Sequence, residues 1–422
     1  MVGLSPISAL PPSGQRAVAR CDLLGRAPYS DDTDGLFRPY LGAGYRATLD
    51  RIAGWMDEAG MSVRVDAVGN VVGRYEGTVP DAPSLLIGSH VDSVRNGGRY
   101  DGMLGVILGV EVVAGFARAG RRFPFAIEVI GFGDEEGSRF PAAMLTSRTV
   151  AGVRDGFDLS MADRDGITLA EALAEFGLDL ATIDEARIAP DRVLAYVEAH
   201  IEQGPVLEAE GRAVGVVSAI AAQHRYRVTM QGMAGHAGTI AMHLRRDALA
   251  AAAEAIGTVE RVGNAGPPDL VATVGRLEVQ PGAANVVPGD VMFTIDVRAG
   301  TNAVRDAAAR EIIDGIRQIA ARRDIILDVT LQQDLDATPC DPRLTVLMEQ
   351  AVADVTGMPA RVLVSGAGHD AMVMAHLAPV SMLFIRCEKG ISHNPAEAVT
   401  AADVEVALRA LTDFVCLFER RS

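Results

Sequence analysis

Short apolar runs, each closing on a glycine-rich or polar turn, recur along this chain. Residues 84–88 lead into Ser89-His90-Val91-Asp92, and residues 125–132 into Gly133-Asp134-Glu135-Glu136-Gly137. Residues 193–197 run into Glu198-Ala199-His200-Ile201-Glu202, 361–364 into Ser365-Gly366-Ala367-Gly368-His369-Asp370, and 380–386 towards Gly390-Ile391-Ser392-His393. The runs are continuously apolar rather than alternating, which suits strands covered by helices on both faces. Helical stretches fall between them, for example 104–118 and 345–355. The pattern predicts an α/β fold with an open, mostly parallel sheet. Ligands bind such sheets beyond the carboxyl ends of the strands, and every histidine–acid cluster named above falls at such an end.

Residues 223–334 carry a different pattern. An alternating strand (225–231) is followed by an alanine-rich helix (244–259), a strand (270–279), a Pro-Gly turn and an alternating strand (291–298). A helix (302–322) and a strand (325–332) complete the order β-α-β-β-α-β, the split βαβ arrangement. The expectation is a discontinuous main domain, 1–218 and 335–422, carrying an inserted α+β, ferredoxin-like domain at 219–334. The connections near 217–222 and 334–339 would form a double hinge.

Composition narrows the class. The chain has 422 residues, of which 49% are hydrophobic and 22% charged, enough for more than one core. No run of about 18 apolar residues is free of polar interruption, so no membrane span is predicted. The longest run, 103–116, contains Glu111 and several glycines. A net charge of −16 disfavours nucleic acid as a partner. The four cysteines, Cys21, Cys340, Cys387 and Cys416, form no CxxC pair and read as packing residues in a reducing compartment. Residues 1–12 have no basic region ahead of an apolar one, so no secretory signal is expected. Together these point to the cytoplasm.

Four of the eight histidines, His90, His200, His369 and His393, follow predicted strands beside acids and glycines. In His90-Val91-Asp92 the carboxylate of Asp92 would fix the second N–H of a metal-bound imidazole. Asp101 stands at the mouth of a helix, where one carboxylate can bridge two cations. Glu135 and Glu136 cannot face the same way on an extended loop, so one can ligate metal while the other faces substrate. Mixed imidazole and carboxylate ligands suit zinc, manganese, cobalt or nickel better than calcium or magnesium. Singly, each motif has a bland reading, a satisfied loop histidine or a solvated turn. Five such sites at five strand ends are harder to explain that way.

At this level of detail the chain resembles the M20-type metallopeptidase-like amidohydrolases. Within them it is most similar to the branch of allantoate amidohydrolases, N-carbamoyl-L-amino-acid hydrolases and β-ureidopropionases. The matching stretches include Gly88-Ser89-His90-Val91-Asp92, Gly97-Gly98-Arg99-Tyr100-Asp101-Gly102, Glu135-Glu136-Gly137-Ser138-Arg139-Phe140 and His200-Ile201-Glu202-Gln203-Gly204-Pro205. Gly235-His236-Ala237-Gly238-Thr239, Asn285-Val286-Val287-Pro288-Gly289, Asp296-Val297-Arg298, the run from Ser365 to Ala371 and Ser392-His393-Asn394-Pro395-Ala396-Glu397 continue the match.

The resemblance implies two divalent metal ions per subunit. One would be held by His90, Asp101 and His200, the other by Asp101, Glu136 and His393. Glu135 would be the general base and His236 the oxyanion stabiliser, with Asp92 the acceptor that fixes the His90 imidazole. Gln203, Asn285, Arg298, Gly366 and Ala367 would bind a small ureido-acid substrate. The inserted domain would act as lid and homodimer interface. The implied reaction is hydrolysis of a ureido C–N bond, releasing ammonia and carbon dioxide. Allantoate is the first choice, and N-carbamoyl-L-amino acids or 3-ureidopropionate the alternatives. One departure is Gly238-Thr239-Ile240-Ala241-Met242, where the branch usually has Gly-Thr-Thr-Pro-Met. His224 and His243, at the start of a strand and a helix, read as structural. His369-Asp370 reads as support for the pocket. A serine hydrolase is disfavoured by the absence of a G-x-S-x-G turn, and a nucleotide site by the absence of a P-loop. A non-catalytic metal-binding relative is the alternative from another class, and Glu135 argues against it.

Overall fold

The computed structural model describes residues 10–153 and 158–421, so residues 1–9 of the N-terminal stretch read above lie outside the described residues. In chain order the principal strands are β1 (Ser62–Val65), β2 (Val71–Tyr75), β3 (Ser84–His90), β4 (Ala126–Phe132), β5 (Val193–Ile201) and β6 (Val214–Ile220). They continue with β7 (Ala222–Gln231), β8 (Val271–Gln280), β9 (Asp290–Ala299), β10 (Ile326–Leu335), β11 (Val362–Ser365) and β12 (Val380–Ile385). The longer helices are α1 (Gly14–Leu24), α2 (Ala43–Glu58), α3 (Met103–Arg118), α4 (Ala248–Ala265), α5 (Asn302–Arg322), α6 (Pro342–Thr356) and α7 (Ala401–Glu419).

The chain divides into two compact units. The larger runs up to Ser218, then over Cys340–Leu363 and from Gly368 onward; the smaller spans Ala219–Pro339 and Val364–Ala367. The smaller unit thus returns after Pro339, not after Asp334. Thr338 and Pro339 pair in antiparallel fashion with Ile220 and Ala219, which ties the returning chain to the outgoing one. Ala221 N–H donates to the Ser365 carbonyl at 2.9 Å, and this draws 364–367 into the same unit. Gly366 and Ala367 therefore belong to the smaller unit, not to the main domain assigned from sequence.

The main sheet runs β1-β2-β4-β3-β5-β12-β6, with β11 also on β6. Its centre, β4-β3-β5-β12, is parallel. Every residue of β3, β4 and β12 is buried, as continuously apolar strands require. The sheet's core includes Leu85, Ile87, Val106, Ile107, Val129, Val197 and Phe414. The β1–β2 pair is antiparallel and was not among the predicted strands; β1 has four residues and an exposed surface, so it leaves no apolar run to read.

Helix α3 begins two residues after Asp101. Its Glu111 is fully buried between two arginines of α1, with Arg16 Nη2 at 2.7 Å and Arg20 Nη1 at 2.8 Å. Removing one partner of a buried ion cluster leaves charge uncompensated, at a cost of about 3–5 kcal/mol. Glu111→Ala is expected to lose that much stability, read as a lower urea midpoint with an unchanged slope. A shift below about 1 kcal/mol would mean that the two guanidinium groups find other partners.

The smaller unit is a four-stranded antiparallel sheet in the order β10-β7-β9-β8. The alternation along β9 buries Val291, Phe293, Ile295 and Val297 against α4 and α5, where Ala251, Ala255, Ile312 and Ile316 complete the core. Helix α4 starts at Ala248, later than the apolar pattern suggests. Asp247 caps it by accepting from Ala250 N–H at 2.9 Å, and Met242–Leu244 form a separate 3₁₀ turn. His243 lies in that turn and is exposed. Among the described residues no helix is long and apolar enough to cross a membrane.

Candidate metal centre

Parallel strands bring their carboxyl ends to one edge of the sheet, and the larger unit places its histidine–acid clusters there. His90 ends β3 and His200 lies one residue from the end of β5. Glu135 and Glu136 follow β4, and His393 follows β12. Asp101 stands just before α3, whose preceding Gly102 has φ +62. A Cβ there would lie 2.3 Å from the His90 ring, so glycine is required both by backbone conformation and by space. Asp134 (φ +59), Gln203 (φ +56) and His393 (φ +54) also occupy the left-handed region. Such conformations cost energy in non-glycine residues and cluster at functional sites.

Three groups of side chains converge within metal-binding reach, the ligand atoms in each lying within 4.8 Å of one another: His90, Asp101 and His200; Asp101, Glu136 and His393; and His90, Glu135 and Glu136. His200 Nε2 is 3.1 Å from Asp101 Oδ1 and 3.5 Å from His90 Nε2. His393 Nε2 is 3.3 Å from Asp101 Oδ2 and 3.4 Å from Glu136 Oε1.

The donor set fits a cation. His200 Nδ1 is 2.9 Å from the Ile201 carbonyl and His90 Nδ1 is 3.2 Å from the Asp92 carbonyl. With Nδ1–H donating in each ring, as those carbonyls require, both Nε2 atoms present lone pairs. They face Asp101 Oδ1, which is buried and has no hydrogen-bond donor. Lone pairs converging on one point are stabilised by a positive charge between them. Without such a charge, burial pushes the Glu135 carboxyl well above the usual carboxylate range and Glu136 up to about 7.

Asp92 is placed differently from the sequence expectation. Its carboxylate lies 3.6 Å from His90 Nδ1, farther than its own backbone carbonyl does. The carboxylate instead accepts the backbone N–H groups of Glu135 (3.1 Å, Oδ1) and Glu136 (3.2 Å, Oδ2). It thereby fixes the loop that carries both glutamates.

Gln203 Nε2 donates to Asp101 Oδ2 at 3.0 Å, so this residue is part of the cluster's scaffold. The smaller unit carries His236, Asn285, Arg298, Gly366 and Ala367. His236 is exposed, and its Nδ1 accepts from Gly238 N–H at 3.1 Å. Asn285 is also exposed and accepts Ala237 N–H on its backbone carbonyl. Arg298 already holds a carboxylate in a two-pronged grip: Nε lies 2.8 Å from Asp296 Oδ1 and Nη2 3.2 Å from Asp296 Oδ2. Its Nη1 donates to the Gly366 carbonyl. His224 sits between Asp334 (3.0 Å) and the Tyr226 hydroxyl (3.1 Å).

Glu397 and Ser392, given no individual role from sequence, hold the centre together along with His369. Glu397 Oε1 accepts the N–H groups of Tyr100 (2.8 Å) and Asp101 (3.2 Å), which fixes the Asp101 backbone. The His369 ring meets His200 edge-on at 4.4 Å between centroids, and its burial holds it well below the usual histidine range, hence neutral. Ser392 Oγ is 2.7 Å from Asp101 Oδ2. Each lies in a motif noted above, but spacing alone does not tell a scaffold hydroxyl from a surface one.

The model of peptidase family M20/M25/M40 matches residues 78–416. The chain is 39% identical to an allantoate deiminase of Arabidopsis thaliana, over 94% of this chain and 81% of that one. It is 41% identical to an N-carbamoyl-L-amino acid amidohydrolase of Geobacillus stearothermophilus, over 94% and 97% of the two chains. Among solved structures, an amidase of the hydantoinase/carbamoylase family from Burkholderia multivorans superposes with a TM-score of 0.89 at 37% identity, covering 96% of this chain and 98% of that one.

Proposed function

Because this chain belongs to peptidase family M20/M25/M40, we propose that it hydrolyses the ureido C–N bond of a small carboxylate, with allantoate as the first-choice substrate. It is a hydrolase of carbon–nitrogen bonds other than peptide bonds. The observation that carries the reading is the convergence of two ligand groups on one shared carboxylate, Asp101.

In this reading His90, Asp101 and His200 hold one divalent cation, and Asp101, Glu136 and His393 a second; zinc or manganese is favoured, with cobalt and nickel also suited to the ligands. A cation pair so held supplies polarisation of the ureido carbonyl and a lowered pKa for bound water. Glu135 takes the proton of the attacking water and delivers it to the leaving nitrogen, which departs as ammonia. Asp92 keeps Glu135 in place through its backbone N–H. Arg298 binds the substrate carboxylate in competition with Asp296, Gln203 and Asn285 bind the ureido group, Gly366 and Ala367 line the substrate's seat, and His236 stabilises the oxyanion.

The reading includes a cytoplasmic homodimer joined through the smaller unit. Its support is the pair of sheet-edge strands, β8 and β10, which expose Val271, Leu277, Ile326 and Leu331. A second substrate class, N-carbamoyl-L-amino acids, is favoured by the 41% identity to the Geobacillus stearothermophilus amidohydrolase. One panel separates the two: ammonia release from allantoate, ureidoglycolate, N-carbamoyl-L-amino acids and 3-ureidopropionate, with zinc and with manganese. Allantoate is expected to give the highest kcat/KM. Turnover of N-carbamoyl amino acids with none of allantoate would reverse the order of preference.

A further inference from the structure

Asp101 Oδ2 carries two donors that metal binding by itself does not call for. Ser392 Oγ lies 2.7 Å from it and Gln203 Nε2 3.0 Å, while Gln203 Nε2 is also 3.0 Å from Ser392 Oγ. The amide donates to both oxygens and the hydroxyl donates to the carboxylate, which closes a three-membered ring of hydrogen bonds. The carboxylate accepts only, so the amide's orientation is determined: Nε2 faces the ring. Gln203 Oε1 is left buried without a donor. Asp101 Oδ1 has no donor either, and it is the oxygen that faces His200.

We infer that Ser392 is a positioning residue for the metal centre, acting through Asp101. Its hydroxyl, together with the Gln203 amide, sets the rotation of the Asp101 carboxylate, so that Oδ1 addresses His90 and His200 while Oδ2 addresses His393. Ser392 also precedes His393 directly. His393 is half exposed and sits at a left-handed backbone position on a loop after β12, so it needs an external tie. The Ser392 hydroxyl supplies that tie by joining the His393 loop to the carboxylate which His393 shares. The inference rests on the two-metal reading above. Groups that orient a ligand in this way typically contribute about 10–100-fold to metal affinity.

The test is a zinc titration of metal-stripped protein against a chromophoric competing chelator. It uses the wild type, Ser392→Ala, and the isosteric pair Ser392→Thr and Ser392→Val. Wild type is expected to bind two zinc ions. In the Ala and Val variants the weaker of the two should bind about 10–100-fold less tightly, with the tighter site little changed. Ser392→Thr, which keeps the hydroxyl, should restore it. The Thr and Val variants have nearly the same shape, so a difference between them reports the hydroxyl and not packing. Equal zinc affinity in wild type, Ala and Val overturns the role of Ser392 and leaves the two-metal reading standing. A wild type that takes up no zinc overturns that reading, and the inference with it.

Discussion

Zinc-loaded Glu135→Gln protein is expected to turn over about 10²–10⁴ times more slowly than the wild type while binding the same amount of metal. The substitution keeps volume and polarity but removes the oxygen that accepts a proton. Burial pushes the Glu135 carboxyl up in the absence of a cation, and His90 opposes that shift. Two nearby positive charges would pull it further down, towards the ionised form a base requires. Ammonia release and metal content, measured on the same preparation, decide the matter. Unchanged turnover would remove Glu135 as the proton carrier. Lost turnover together with lost metal would instead make it a ligand, in the grouping it forms with His90 and Glu136.

Asp101→Ala is expected to have the largest effect of any single change, because Asp101 belongs to both ligand groups that the proposed function uses. Under the proposed function both cations would lose a ligand at once. Lewis-acid stabilisation of the reacting carbonyl is worth several kcal/mol, so kcat/KM should fall by about 10³-fold or more. The metal-free variant should fold normally, since Asp101 is anchored through its backbone N–H to Glu397. Retention of two tightly bound metals by Asp101→Ala would refute the shared-ligand arrangement. Circular dichroism of the stripped protein provides the folding control.

The main sheet was legible in the sequence because parallel strands buried on both faces leave uninterrupted apolar runs, as in residues 84–88 and 380–385. Their ends were legible too, since glycines and polar residues stop each run. The β1–β2 pair was not, because β1 is short and exposed and the apolar start of β2, Val71-Val72, is cut off at once by Gly73-Arg74. The helix expected from residue 244 begins at Ala248 instead, because the Asp247 side chain caps the first turn and Met242–Leu244 form a turn of their own. At the site, residue types and strand-end positions pointed to metal chemistry, but partners did not follow from spacing. Asp92 was assigned to an imidazole and its carboxylate accepts two backbone N–H groups. Spacing gave Arg298 no protein partner, and its guanidinium grips Asp296, two residues away on the same strand. A sequence states which groups a chain owns. What each group touches depends on long-range packing that local patterns do not encode.

The interruption of the larger unit by the smaller one also orders events during synthesis. His90, Asp101, Glu136 and His200 all precede the insert, whereas His393 follows it. On the ribosome, the stretch Ala219–Pro339 is therefore complete before the last of these five residues has been added. Domains fold as units during translation, so the insert's own core can form while the larger unit still lacks β12 and α7. A nascent chain stalled before residue 393 would own His90, Asp101 and His200 in full but only Asp101 and Glu136 of the group that His393 completes, so under the proposed function uptake of the second cation would mark the finished polypeptide.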